Sequence, residues 1–318
     1  MKGGGAMKTF ELIVPCLNEQ ESIPLFYEKV REVFNSLEGF ESSFIFVDDG
    51  SKDGTLDEIK NLASSDTAVR YVSLSRNFGK ESAMLAGLSF SQADYVGIID
   101  VDLQHNPELL PEMLSCLESG EYDIAAARRT DRTGEAKFKS IFSKLFYRII
   151  NRMSDVKIED GAQDFRIMNR QVVEAIVSMR EYNRFSKGIF SWVGFKTKWF
   201  EHVNSERVAG KSKWSFWKLT TYAIDGIINF STVPLKISFI VGGFVSFLGL
   251  VYALYIILRT IINGSDVPGY PSLFCAILII GGLILLSLGI IGEYLARIYT
   301  EVKGRPTFLV DETNIIKK

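Results

Sequence analysis

Asp100 and Asp102, two carboxylates one residue apart, follow directly on the apolar run Tyr95-Val96-Gly97-Ile98-Ile99. The run has the length and composition of a buried strand. Its polar end reads Asp100-Val101-Asp102-Leu103-Gln104-His105. Two negative charges at the tip of a buried strand are costly unless something neutralises them. Carboxylate and amide oxygens are hard ligands, so a divalent cation suits them. A metal held there would hold an anion in turn. A solvated turn is the other reading of the same residues, and a D-x-D pair alone does not separate the two.

Other loops offer matching chemistry. Residues 10–17 read as a strand ending in Pro15-Cys16-Leu17-Asn18-Glu19. Phe44-Ile45-Phe46-Val47 is a second apolar strand, running into Asp48-Asp49-Gly50-Ser51 and the turn residues Lys52-Asp53-Gly54-Thr55. Residues 69–74 form a third, and Ser75-Arg76-Asn77-Phe78-Gly79-Lys80 opens a helix that runs through Leu88. Residues 123–127 are a further strand, closed by Arg128-Arg129. Helices are expected over 23–37, after the Lys52–Thr55 turn to about Ala63, and after Pro107. This alternation with short links predicts an α/β fold, a Rossmann-like, mostly parallel sheet covered on both faces. In such a sheet the loops at the carboxyl ends gather at one edge. Glu19, Asp49, Asp100 and Asp102 would then share one crevice.

Downstream, 138–153 read as an amphipathic helix rich in Lys and Arg. Residues 161–168 look like a return to the site, and 185–192 like a short helix. Residues 207–214 form a basic, glycine-containing loop. Across 214–230, Trp214, Trp217, Thr221, Ile224 and Ile228 recur on one helical face. With lysines nearby, this suits a membrane–water interface or a packed core helix.

The net charge is -2, so no general basic field points to nucleic acid. Cys16, Cys116 and Cys275 are far apart and lack a C-x-x-C pattern, which fits a reducing compartment. Residues 1–6 read as a vector-derived extension before a natural start at Met7. No secretory signal is visible, so the first domain is expected in the cytosol. Residues 237–258 and 272–292 carry no charge, and each is long enough to cross a bilayer as a helix. Lys218 and Lys236 precede the first, and Arg297, Lys303 and Arg305 follow the second, while the link holds only Arg259. Basic residues stay on the cytosolic side, so both ends are expected inside. The expected organisation is a catalytic domain over 7–212 and an interfacial helix over 213–234. A transmembrane hairpin over 235–296 and a cytosolic tail over 297–318 follow.

Taken in order, four motifs resemble those of family 2 glycosyltransferases of the GT-A fold. They are Val14-Pro15-Cys16-Leu17-Asn18-Glu19, Val47-Asp48-Asp49-Gly50-Ser51 with Asp53-Gly54-Thr55, Arg76-Asn77-Phe78-Gly79-Lys80, and Asp100-Val101-Asp102-Leu103-Gln104-His105. The 161–168 stretch, the 207–214 loop, the two apolar segments and Gly304-Arg305-Pro306 narrow the resemblance. They point to polyprenyl-phosphate glycosyltransferases of the bactoprenol glucosyltransferase type, which are similar to dolichol-phosphate mannose synthases. Cys16-Leu17 departs from the small residue and Tyr more usual there.

The resemblance implies inverting transfer of a sugar from a nucleotide diphosphate sugar to polyprenyl (undecaprenyl) phosphate at a bacterial inner membrane. UDP-glucose and UDP-N-acetylglucosamine are the expected donors. GDP-mannose, or a glycolipid or polysaccharide acceptor, is the alternative. A Mg²⁺ or Mn²⁺ ion is implied, with Asp102 and Gln104 as ligands and Asp100 on the metal or the ribose. His105 reads as a turn residue. Pro15, Glu19, Asp48 and Asp49 are implied in the base pocket. Arg76 and Lys80 either touch the nucleotide or form a solvated helix start. Asp164 matches the position of the catalytic base, although a phosphate acceptor is already anionic. Arg128 is implied to bind the acceptor phosphate, with Lys137 and Lys139 as further candidates. Arg207, Lys211 and Lys213 either close over the diphosphate or meet anionic headgroups. A homo-oligomer, dimer or tetramer, is implied as well.

Overall fold

A computed structural model describes residues 7–129, 151–152, 159, 161–202, 228, 231–263 and 269–316. In chain order the catalytic part begins β1 (Lys8–Cys16), α1 (Ser22–Asn35), β2 (Phe40–Asp48), α2 (Thr55–Ser65), β3 (Val69–Leu74), α3 (Lys80–Phe90) and β4 (Tyr95–Ile98). A single 3₁₀ turn, Pro107–Leu109, leads into α4 (Leu110–Glu118). Then come β5 (Ile124–Arg129), β6 (Ala162–Asn169), α5 (Arg170–Ser178), α6 (Ser186–Trp192) and β7 (Thr197–His202). Two long helices follow, α7 (Val233–Asn263) and α8 (Tyr270–Val302), and then β8 (Val310–Thr313).

Alternation along the strands feeds two cores. Leu12, Val14, Phe44 and Phe46 point to one face of the sheet, where α1 lays down Phe26, Val30 and Phe34. Ile13, Ile45 and Val47 point to the other, against α3, α5 and α6. Strands covered on both faces have to be apolar almost throughout, as β1 and β2 are. The α3 helix lies unusually close. A Cβ on Gly87 would come within 2.3 Å of Ile13 Cγ2 and 3.2 Å of Val47 Cγ2. Only glycine permits this approach, which sets the start of α3, and so Lys80, against the strand ends.

Among the described residues the sheet has eight strands in the order β7-β5-β6-β4-β1-β2-β3-β8. The run β4-β1-β2-β3 is parallel, as the alternation predicts. Residues 161–168, expected to return to the site, supply β6. It runs antiparallel between β4 and β5, with Ile98 opposite Arg166. β7 lies parallel to β5 at one edge, and β8 antiparallel to β3 at the other.

α7 and α8 are long and apolar enough to cross a membrane, and both uncharged segments fall within them. Phe239 is 81 % exposed and Leu250 and Leu285 are each 71 % exposed, so among the described residues their apolar faces lack a protein cover. The hairpin is tied to the catalytic part at its far end. The Tyr182 N–H donates to Glu301 Oε1 at 2.9 Å, and Asn183 Nδ2 to Thr300 Oγ1 at 3.1 Å. The chain beyond α8, expected as a tail, returns to the sheet as β8. Ser75 N–H donates to the Leu309 carbonyl at 2.9 Å, and Thr313 Oγ1 to the Tyr71 carbonyl at 2.5 Å. The expected interfacial helix lies, except for isolated positions, outside the described residues.

Candidate active site

The carboxyl ends of β1, β2, β3 and β4 meet at one edge, and their loops are fastened to one another. Ser51 Oγ accepts from the Asn18 N–H at 2.9 Å, and Asn18 Oδ1 from the Lys52 N–H at 2.8 Å. Thr55 Oγ1 accepts from the Glu19 N–H at 2.8 Å. Glu19 turns its own side chain to Ser22 Oγ at 2.8 Å, beginning α1. Pro15 is partly buried at the same tip.

Asp48 and Asp49 are 2 % and 3 % exposed. Asp49 accepts from the Phe78 N–H at 2.7 Å and the Gly79 N–H at 2.9 Å. Burial raises its carboxyl pKa, against the pull of these two N–H groups. Asp48 accepts from the Ser51 N–H and from Ser73 Oγ, each at 3.2 Å. Both carboxylates, expected in the base pocket, have oxygens that hold the β2 and β3 loops. Gly50 lies between those loops at φ 67°, and a Cβ there would sit 2.4 Å from the Arg76 carbonyl carbon. The Arg76 guanidinium lies over the Phe78 ring, 4.1 Å from its centroid.

The β4 tip is built from charges. Lys80 Nζ lies 2.7 Å from Asp100 Oδ1 and 2.9 Å from Oδ2, and it donates to Asp164 Oδ2 at 2.5 Å. Burial alone would lower the lysine and raise both aspartates. The three opposite charges reverse this, leaving Lys80 well above the usual lysine range and Asp100 well below the usual carboxylate range. Asp164 is lowered too, by Lys80 and then by Lys187. The group still meets solvent, because Lys80 is 42 % exposed, Asp100 29 % and Asp164 18 %. His105, expected as a turn residue, is buried with Nε2 3.7 Å from Asp100 Oδ2. Asp102 Oδ1 accepts from the Gln104 N–H at 3.2 Å. Between them Leu103 has φ 55°. A left-handed leucine costs roughly 1–2 kcal/mol, and such strain concentrates at functional turns.

These residues fit a divalent ion of the Mg²⁺ or Mn²⁺ kind. Among the described residues no cluster of three His, Cys, Asp or Glu side chains forms a closed cage. Asp100, Asp102 and Gln104 instead offer two carboxylates and an amide at an open edge. Such a set suits an ion that takes its remaining ligands from phosphates and water.

Behind Asp164 lies a polar layer that pattern reading does not reveal. Arg166 shares its strand face, is 2 % exposed, and donates to the Gln163 and Asp164 carbonyls at 2.5 and 3.3 Å. Its guanidinium sits 3.5 Å from the Phe190 ring centroid. Burial lowers its pKa to about 10, opposed by Asp164 and Glu81. Glu81 accepts from both the N–H (3.0 Å) and the hydroxyl of Ser186 at the start of α6. The i, i+2 step from Asp164 to Arg166 was the available signal for one; for Glu81 and Ser186, far apart in sequence, there was none.

Residues 11–177 match the family model for glycosyl transferase family 2. The chain belongs to that family. Residues 233–298 match a second model, the GtrB C-terminal hairpin. The transferase is 44 % identical over 303 residues to the SfII prophage-derived bactoprenol glucosyl transferase of Shigella flexneri, covering 95 % of this chain and 97 % of that one. It is 44 % identical over 301 residues to an uncharacterized glycosyltransferase of Synechocystis, covering 95 % and 94 %. It is 42 % identical over 307 residues to the putative glycosyltransferase CsbB of Bacillus subtilis, covering 96 % and 92 %. Among solved structures, glucosyl-3-phosphoglycerate synthase of Mycobacterium tuberculosis aligns with a TM-score of 0.46 at 19 % identity, over 70 % of this chain and 78 % of that one.

The transferase thus brings Pro15, Glu19, Asp48, Asp49, Arg76, Lys80, Asp100, Asp102, Gln104 and Asp164 to one sheet edge and the layer behind it. Arg128 lies one residue before the end of β5, where its guanidinium pairs with Glu159 and Glu201, each at 2.9 Å. These two acidic partners were not anticipated. Lys137, Lys139, Arg207, Lys211 and Lys213 lie outside the described residues.

Proposed function

We propose that this family 2 glycosyltransferase moves glucose from UDP-glucose to a polyprenyl phosphate at the cytosolic face of a bacterial membrane, with inversion. The reading is carried by the full-length likeness to bactoprenol glucosyl transferases, hairpin included. Asp100, Asp102 and Gln104 would hold a Mg²⁺ or Mn²⁺ ion, which when bound stabilises the charge that develops on the leaving diphosphate. The loops at Pro15, Glu19, Asp48, Asp49 and Arg76 form the nucleotide side, and Arg128 offers charge to the acceptor.

A phosphate monoester has a second pKa near 6, so near neutral pH its oxygen attacks without a base. That oxygen bonds to the anomeric carbon from the face opposite the diphosphate. The sugar–diphosphate bond breaks and its electron pair leaves on the β-phosphate oxygen, giving UDP and an inverted sugar phosphate. No proton has to move. Asp164, ionised and bonded to Lys80, is a poor proton acceptor and a good anchor. It holds a cation where two anions must approach, and such fixed charge is what this step requires.

The sheet supports the membrane reading. β7 precedes the hairpin and β8 follows it, yet both are strands of one sheet. A hairpin that crosses and returns keeps both ends beside the catalytic part. Lys236, Arg297, Lys303 and Arg305 flank those ends, and basic flanks favour a cytosolic position. The full chain in detergent, given radiolabelled UDP-glucose, undecaprenyl phosphate and Mn²⁺, is expected to make an organic-soluble, acid-labile glucosyl lipid. Failure with UDP-glucose, UDP-N-acetylglucosamine and GDP-mannose alike would overturn the reading; success with another donor alone would change the sugar.

A further inference from the structure

Lys80 occupies the position that decides access to Asp100. Its ammonium engages both oxygens of that carboxylate, at 2.7 and 2.9 Å, and is held from behind by Asp164 at 2.5 Å. Asp100 is also one of the hard ligands at the β4 tip. An ammonium and a divalent cation cannot both take the same carboxylate lone pairs at full strength. Lys80 is the first residue of α3, and α3 is fixed to the sheet by the close approach at Gly87. The ammonium therefore swings on its own side chain, without movement of the helix. With 42 % of the side chain exposed, it faces the open edge where a diphosphate would enter.

We propose that Lys80 is a built-in competitor of the divalent cation, held on Asp100 until a nucleoside diphosphate arrives to give the ammonium another anion. The ion then binds well only together with the donor's diphosphate. The free enzyme keeps its carboxylates neutralised by its own lysine. Binding of ion and diphosphate is coupled, and linkage makes that coupling reciprocal. This inference rests on the metal reading of Asp100 and Asp102.

The test is direct Mn²⁺ binding to the full-length protein in detergent, read by the electron paramagnetic resonance signal of free Mn²⁺. Titrations are run without and with UDP. Wild type is expected to bind Mn²⁺ weakly alone and much more tightly with UDP. Lys80→Met and Lys80→Gln are expected to tighten UDP-free Mn²⁺ affinity about tenfold, since a lost ion-pair competitor near a carboxylate has that order of effect. The gain on adding UDP then shrinks. Lys80→Arg keeps a bonded cation and is expected to keep the weak affinity. Lys187→Met removes a charge that also acts on Asp164 but is not among the largest influences on Asp100, and is expected to change affinity less than about twofold. Melting curves with and without Mn²⁺ confirm that each variant is folded and give a second readout, a larger Mn²⁺-induced rise for Lys80→Met than for wild type.

Unchanged or weaker UDP-free affinity in both Lys80→Met and Lys80→Gln would overturn the proposal. So would an equal gain in Lys187→Met, which would reduce the effect to general electrostatics. Asp102→Ala separates the two layers. If Lys80→Met combined with Asp102→Ala still binds Mn²⁺ as Lys80→Met does, the metal reading itself fails. If that binding is lost while Lys80→Met alone gains nothing, only the competition fails.

Discussion

The two halves of the site edge are held by different forces. At the tips of β1, β2 and β3 the fasteners are mostly hydrogen bonds to backbone N–H groups, from Ser51, Asn18, Thr55 and the buried Asp49. At the tips of β4, β5 and β6 they are ion pairs between partly exposed side chains, Lys80 with Asp100 and Asp164, and Arg128 with Glu159 and Glu201. A loop bound through its backbone keeps one shape, because each lost bond leaves a buried polar group unsatisfied. An ion pair in reach of water exchanges partners at small net cost. The first half is therefore preformed, and the second, where the proposed function brings diphosphate, metal and acceptor together, is set to rearrange.

That contrast breaks most sharply at Gly50. A Cβ there would strike the β3 loop backbone in a left-handed conformation. Gly50→Ala is expected to destabilise the protein by about 3 kcal/mol or more and to abolish UDP binding. A melting curve and a UDP titration check this, and near-normal behaviour would mean that the loops are not rigidly joined. In the other half, Asp102→Ala is expected to lower turnover on the order of 10³-fold with little change in melting temperature. Asp164→Asn keeps a hydrogen bond to Lys80 but loses the charge. A loss of about tenfold is expected, below the roughly 10²–10⁴ of a removed general base. A loss of 10³-fold or more would restore the base assignment. Arg128→Ala is expected to raise the acceptor KM about fivefold with a smaller change in kcat, since its paired charge positions rather than reacts.

The same contrast explains what could be read from sequence. The rigid half follows local rules. Apolar runs become strands, Asp-Gly and Asn-Glu follow them, and parallel order brings their ends together. The first four strands and helices α1 to α4 were legible for that reason. What local rules miss is strand pairing across long stretches of chain. Residues 162–169 carry a polar start, Gln163-Asp164, that masks the strand signal, yet pairing with β4 and β5 on both sides makes them a strand. β8 is short and separated from its partner by the whole hairpin. Ion-pair partners such as Glu159 and Glu201 depend on that long-range arrangement, so motif spacing carries no trace of them.

The smallest effect concerns Glu81, which belongs to neither fastening scheme alone. It is partly buried next to Lys80, and among the described residues its hydrogen-bond partner is Ser186. Burial, aided by the nearby Asp164 charge, raises its carboxyl pKa to about 7, against its hydrogen bonds to Ser186 and the charge of Lys80. In the unfolded chain the group titrates near 4.3. Between these values the folded protein holds a proton that the unfolded chain has released, so stability falls as pH rises through this window and levels off above it. The loss is on the order of 1–3 kcal/mol. Glu81→Gln still accepts from Ser186 and has no proton to lose. It is expected to match wild type near pH 5 and to melt higher at pH 8, the two curves separating between. Parallel curves would show that Glu81 ionises normally in the fold. A carboxylate kept where it lowers stability at neutral pH needs another reason to be there. Its two bonds to Ser186 fix the start of α6, and with it Lys187 beside Asp164 and Phe190 beneath Arg166. Glu81 is then the strut that keeps the rearranging half from losing its frame when Lys80 changes partners.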